Sequence, residues 1–513
     1  MTRRQLMQKA AASAVLLGLP PVSGCSSLPE YQPVGVEKGK ALYLTSARVI
    51  DVIRGVVEPG RTLTIRHGII ESVSGFLPVL HEGDKVLDLK GDYVLPGLID
   101  AHCHATLSGE FMLSPATILT TINQMNRNYI QQIKQGITTI RDMGAMPDFL
   151  HNDLEKIQTG KLIGPRIVYC NAFTNIFGSH PDIDPAAVSI FARLAMAFTG
   201  HPNLWFRNTD DLKHKLRQNT RRGASFVKLT MDGISLLCGK GKIPVYTDEH
   251  LKIIFDFAQK NHLSTAAHIH TKFGFDRAVR FGIGSMEHLL ADAILTRQDV
   301  ETMAEKNIAI VPTMTIAQLM AAPEAYFELP VKYRTGFIQQ ELEIRRRYLH
   351  ESDHTPFAEA AIHKSNLAYL ANYRKYGCAR LYEKDIYMAN PELYFDILRT
   401  GPANLLAMKD AGVVIGCGTD AGVPFAYHGT LWREMEMLGR LGFSAADILR
   451  AATINNAKIL GMADQIGSLE AGKFADCVVL KENPLAKIEA CRHPQTVIKD
   501  GLIYDVGKIV FNP

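Results

Sequence analysis

The chain has 513 residues, more than one simple core accommodates, and reads as two or more domains. Its composition, 47% hydrophobic and 21% charged, is that of a soluble globular enzyme, with no low-complexity tract and no short repeat. A net charge of +4 is too small an excess at this length to point to nucleic acid as a partner.

The first 25 residues, MTRRQLMQKAAASAVLLGLPPVSGC, differ from the rest. Arg3, Arg4 and Lys9 precede an apolar run from Ala10 to Leu19 that is too short to span a bilayer and has the layout of an export signal. Thr2 to Met7 resembles a twin-arginine signal. Val22-Ser23-Gly24-Cys25 resembles a bacterial lipobox, in which the cysteine becomes the lipidated first residue. Residues 1–24 are therefore read as a lipoprotein signal peptide, Cys25 as the lipidation site and 25–38 as a linker. Serine after Cys25 resembles an outer-membrane address. The expected setting is an exported bacterial lipoprotein facing the periplasm, with the lipid anchor as its only membrane contact. Of the eight cysteines, seven remain besides Cys25; none is in a CxxC pair, and the odd number argues against a full disulfide framework.

Residues 41–94 carry β-rich runs, ALYLTSARVID, TLTIRHGIIESV and KVLDLKGDYVLPG, broken by glycine and charged turns. The same texture returns at 464–511. The simplest reading is one small β-sandwich domain built from both chain ends, 39–97 and 463–513. Between them, 98–462 alternates strands and helices, the pattern of a parallel sheet or barrel. GLIDAHCH (97–104), ITTIRDMG (137–144), RIVYCNAF (166–173), SFVKLTMDG (225–233), STAAHIH (264–270), GSMEHL (284–289), IAIVPTMT (308–315) and VVIGCGTDAG (413–422) supply the eight strands of a (β/α)8 TIM barrel. The fold class expected is thus α/β. Helical patterns such as 248–261 lie between the strands, and 444–460 opens on Ser444 and Asp447, a capping box. The connection 316–412 far exceeds a helical crossover. A lid or specificity element, a packing embellishment and a dimer contact are all open readings of it, and oligomeric state is open too.

Polar residues at the C-terminal ends of barrel strands read as catalytic. Those ends supply His102 and His104, Lys228, His268 and His270, His288, and Asp420. His102 and His104 are two apart, so a strand aims both imidazoles at one spot and turns Cys103 the other way. A lone histidine is more often a satisfied core residue than a ligand. So many ligand-type groups at the ends of separate strands are hard to explain by packing, because burying each unpaired costs several kcal/mol. Imidazole and carboxylate donors suit Zn²⁺, with Mn²⁺, Fe²⁺ or Co²⁺ as alternatives. A lysine ammonium cannot ligate, but a deprotonated lysine reacts with CO₂, and the resulting carbamate is a bidentate anion that two nearby cations stabilise. Lys228, inside FVKLTM, is odd as a core residue and sensible as a bridge between metals.

These residues carry a resemblance. PGLIDAHCH, GASFVKLTMDG, AAHIHTKFGFDRAVRFGIGSMEH and GCGTDAG resemble the strand motifs of the amidohydrolase superfamily, within its binuclear imidazolonepropionase-like and prolidase-like group. ATINNAKILG and GSLEAGKFADCVVL are similar to that group's C-terminal signatures. The resemblance implies that His102, His104 and Asp420 bind one divalent ion, that His268 and His288 bind the other, and that carboxylated Lys228 bridges them. It also implies hydrolysis of a C–N amide bond by a metal-bridging hydroxide, with Asp420 as general base and then general acid. His270 is read as a substrate contact or as a hydrogen-bonding support, the two being equally open. His180, in NIFGSHPD, falls where a substrate-contacting loop is expected, although a surface position is the simpler reading. Glu287 alternates to the face opposite His288 and is given no role.

The expected substrate is a small molecule: a dipeptide, an N-acyl amino acid or a related amide. A cyclic-amide hydrolase of imidazolonepropionase type is the alternative within the group. A mononuclear deaminase is disfavoured because Ile269 to Phe273 contain no acid and Lys228 is present. A non-catalytic binding lipoprotein is disfavoured because all six ligand positions are filled.

Overall fold

Both chain ends contribute to one sheet. The structure, a computed structural model, describes residues 31–110, 118–144, 146–181, 203–234, 243–351, 356–381 and 391–511. The signal segment, Cys25 and the start of the linker lie outside the described residues, as do 352–355 and 382–390 of the insertion. The first strands are β1 (Ala41–Asp51), β2 (Val56–Arg66), β3 (Ile69–Ser74), β4 (Lys85–Asp88) and β5 (Tyr93–Pro96). From β5 the chain passes through Gly97, where any Cβ would overlap the Thr138 hydroxyl, directly into the barrel.

The barrel opens with β6 (Leu98–Cys103), β7 (Ile137–Asp142) and β8 (Arg166–Tyr169), which run parallel. A short parallel ribbon, β9 (Phe173–Asn175) and β10 (Asn203–Trp205), stands beyond β8. The Ser225 amide donates to the Tyr169 carbonyl and links β8 to the next strand. That strand is β11 (Phe226–Thr230), followed by β12 (Ser264–His268), β13 (Ser285–Glu287) and β14 (Ala309–Val311), again parallel. β6, β7 and β11 are buried along their whole length, as expected where helices cover a closed sheet.

The eighth stave, 413–421, closes the barrel through isolated bridges instead of a regular ladder. The amides of Ile310 and Gly416 bond across to Val414 and Ile310, and those of Ala101 and Thr419 bond to Cys417 and His102. β15 (Cys477–Leu480), β16 (Thr496–Lys499) and β17 (Leu502–Asp505) then rejoin the first sheet, in the order β17-β16-β15-β5-β1-β2-β3 with β4 beside β1. The fold is α/β, a (β/α)8 barrel carrying a small β domain.

Helix starts follow their sequence signals. Ser444 and Asp447 form the capping box of the helix Ala445–Arg450, which continues through a wider turn to Ile459. The helices of the insertion are pinned to the barrel mouth. His363 Nδ1 lies 3.0 Å from the Tyr427 hydroxyl, the Asn366 amide donates to Gly109 O at 2.7 Å, and Glu359 pairs with Arg127 at 2.8 Å. The insertion thus holds the loops after the first and eighth staves. Cys103, Cys170, Cys417, Cys477 and Cys491 are buried free thiols. Among the described residues no helix is long and apolar enough to cross a membrane.

Candidate metal centre

Two groups of donor side chains meet at the C-terminal mouth of the barrel. His102, His104 and Asp420 form one, and His268, His270 and His288 the other; within each, the donor atoms lie within 4.8 Å of one another. Asp420 Oδ1 is 3.4 Å from His102 Nε2 and 3.2 Å from His104 Nε2. The groups adjoin, with the His102 and His288 ring centres 4.7 Å apart.

Backbone geometry brings these side chains together at a cost. His288 (φ 73°), Asp420 (φ 55°) and Thr313 (φ 45°) occupy the left-handed region, where non-glycine residues are strained. Gly418 allows the eighth stave to approach: a Cβ there would lie 2.8 Å from that of His102. The outer ring nitrogens are held as well. His104 Nδ1 donates to Gly144 O at 2.6 Å and His270 Nδ1 to Leu289 O at 3.0 Å, while His288 Nδ1 lies 2.7 Å from Thr313 Oγ1. Each partner fixes a ring's orientation and leaves Nε2 for the centre.

The electrostatics suit metal donors. Burial pushes His268 and His288 well below the ordinary imidazole range and His270 down to about 4, so all three are neutral lone-pair donors at neutral pH. Burial opposes ionisation of Asp420, but its bonds to His102 and His104 outweigh this and hold it well below the usual carboxylate range. Lys228 is 2% exposed, and its Nζ is buried with no hydrogen-bond partner among the described residues. Burial lowers its ammonium to about 8, which puts the amine within reach at physiological pH. An orphaned lysine nitrogen whose charge is felt at His268, His270, His288 and Asp420 is costly for an empty core and fits a site built for divalent ions.

Two positions differ from the sequence reading. His180 is not on the surface: it is 7% exposed and stacks on His268 at 4.3 Å, its carbonyl accepting from the Asn175 amide at 3.2 Å. Glu287 does not turn away. His288 lies beyond the end of β13 with positive φ, so strand alternation stops before it, and Glu287 points into the barrel with Oε2 2.8 Å from His102 Nδ1. Burial opposes its ionisation, but Arg141 and His102 outweigh this and bring it down to about 2. His270, left open between two roles, stands in the second donor group.

Three more buried acids support the site by accepting backbone N–H bonds. Asp100 accepts from Thr419 N and His102 N, Asp142 from Ala105 N, and Asp232 from His270 N and Thr271 N. Their signal in the sequence is an acid inside or just after an apolar strand run, which burial tolerates only if it is bonded.

Fold and site together define a (β/α)8 barrel whose mouth carries two adjoining sets of side chains of the types that ligate metals. The chain matches the amidohydrolase family over residues 93–503. It is 22% identical over 435 residues to the ochratoxinase of Aspergillus niger, covering 82% of this chain and 76% of that one. It is 33% identical over 117 residues to the imidazolonepropionase of Geobacillus kaustophilus, a stretch of 22% of this chain and 28% of that one. Among solved structures, a prolidase complexed with N-methylphosphonate-L-proline superposes with a TM-score of 0.68 at 21% identity, covering 91% of this chain and 100% of that one. The chain belongs to the amidohydrolase family and is, with it, a hydrolase acting on carbon–nitrogen bonds.

Proposed function

We propose that the chain is a binuclear metal-dependent amidohydrolase that cleaves the amide bond of a dipeptide or an N-acyl amino acid. The observation that supports this best is the buried Lys228 Nζ, without a hydrogen-bond partner among the described residues, beside two adjoining donor groups. In this reading His102, His104 and Asp420 would hold one ion, His268 and His288 would hold the other, and Lys228, once carboxylated by CO₂, would supply a further anionic ligand. The donor set suits zinc best. Ions bound there supply Lewis acidity, lowering the pKa of a water and polarising the substrate carbonyl.

The remaining roles fall to the chain itself. Asp420 takes the proton of the attacking water and returns it to the leaving nitrogen, so the products are a carboxylate and an amine. His270, with Nδ1 committed to Leu289 O, offers Nε2 to the substrate, and His180 contacts it from the loop beyond β9. Export and lipidation at Cys25, as proposed from the sequence, would favour this substrate class over a cyclic amide, since an enzyme facing the periplasm would meet peptides and N-acyl amino acids more readily.

The test is amine release from a panel of dipeptides and N-acyl amino acids by protein reconstituted with zinc and bicarbonate. The expected result is turnover of at least one subset, abolished by chelation. Turnover of a cyclic amide alone would replace this reading with that of a cyclic-amide hydrolase.

A further inference from the structure

His102 is supported differently from His104, His270 and His288, and more closely than His268, whose Nε2 lies 4.0 Å from Asp232 Oδ2. Gly144 O, Leu289 O and Thr313 Oγ1, the outer partners of His104, His270 and His288, are neutral. His102 Nδ1 instead meets the carboxylate of Glu287 at 2.8 Å, where both side chains are essentially excluded from solvent at 1% and 0% exposure. A carboxylate can only accept, so Nδ1 carries the hydrogen and Nε2 keeps its lone pair for the centre.

Glu287 is itself clamped. Its Oε1 accepts from Arg141 Nη2 at 2.6 Å and from Ser285 Oγ at 2.6 Å. Arg141 is fixed in turn, donating from Nε to Ala101 O at 2.6 Å and from Nη1 to Ser285 Oγ at 3.1 Å. The network joins three staves, β6, β7 and β13, beneath the centre.

We propose that Glu287 is a positioning residue that sets the affinity of one metal position, that of His102, His104 and Asp420, and leaves the other unaffected. Its fixed negative charge raises the basicity of His102 and locks the ring, and Arg141 keeps that charge bonded in the core. Removing such a partner typically costs about 10–100-fold in metal affinity. The inference rests on the binuclear reading above.

The test is competitive-chelator titration of zinc from wild type, Glu287→Gln and Glu287→Asp, with thermal unfolding of the metal-free proteins alongside. Glu287→Gln keeps the shape and loses the charge. The expected result is that one of the two zinc ions leaves at about 10–100-fold weaker affinity while the other is unchanged, and that Glu287→Asp recovers part of the loss. Unchanged affinities for both ions, or an equal loss of both together with a lower unfolding temperature, overturn the proposal. If Glu287→Gln does not fold, pairing it with Arg141→Met removes both buried charges and the same selective loss is expected; two unaltered affinities in that variant also overturn it. Wild-type protein that binds no zinc overturns the binuclear reading and this inference with it, which separates the two failures.

Discussion

Asp420→Asn lowers kcat by about 10²–10⁴-fold, the usual worth of a positioned acid–base group, while metal content stays close to that of wild type. Asparagine keeps an oxygen donor where Asp420 Oδ1 faces His102 Nε2 and His104 Nε2 at 3.4 and 3.2 Å. It also tolerates the positive φ of 55° at this position better than most residues, so the stave should keep its course. What it cannot do is take up a proton and release it. Steady-state kinetics and metal analysis on the same preparation check this; near-normal kcat would assign the proton to another group.

Lys228→Ala abolishes activity, and short-chain carboxylic acids added to the variant restore part of it by occupying the place of the carbamate. The physical ground is the side chain's predicament in the metal-free core: its Nζ is buried and has no hydrogen-bond partner among the described residues. Such a group costs stability unless it has another use. Lys228→Met should accordingly raise the unfolding temperature of the metal-free protein while removing turnover. Full activity in Lys228→Ala would remove the bridge and with it the paired-ion account. A lower unfolding temperature for metal-free Lys228→Met would show that the lysine has a structural purpose.

The clustered donor positions were legible because each lies in or just after an apolar run. His102, Lys228, His268 and Asp420 all fall in or at the end of barrel staves, and the chain turns polar within a few residues beyond them. The irregular places were hidden. NIFGSHPD has no apolar period to mark it as buried; His180 is covered through its stacking on His268 and the bond from Asn175 to its carbonyl. Alternation failed at Glu287 because His288 leaves the strand with positive φ, a backbone choice the residue types do not reveal. The segment 413–421 looked like an ordinary strand. Cβ atoms added at Gly416 and Gly418 would lie 2.5 Å from Asn456 Oδ1 and 2.7 Å from Val311, so glycine lets it press in close, and it closes the barrel by isolated bridges. The supporting acids were missed for a related reason: a buried acid signals that it has partners without naming them.

Metal content per chain tests the account most directly, measured on protein purified without chelators or affinity nickel and again after reconstitution with zinc and bicarbonate. The account predicts about two equivalents of zinc or a similar divalent ion, as for other paired-metal hydrolases. A single tightly bound ion would contradict it in favour of a mononuclear, deaminase-type centre, and no bound ion after reconstitution would contradict metal-dependent catalysis altogether.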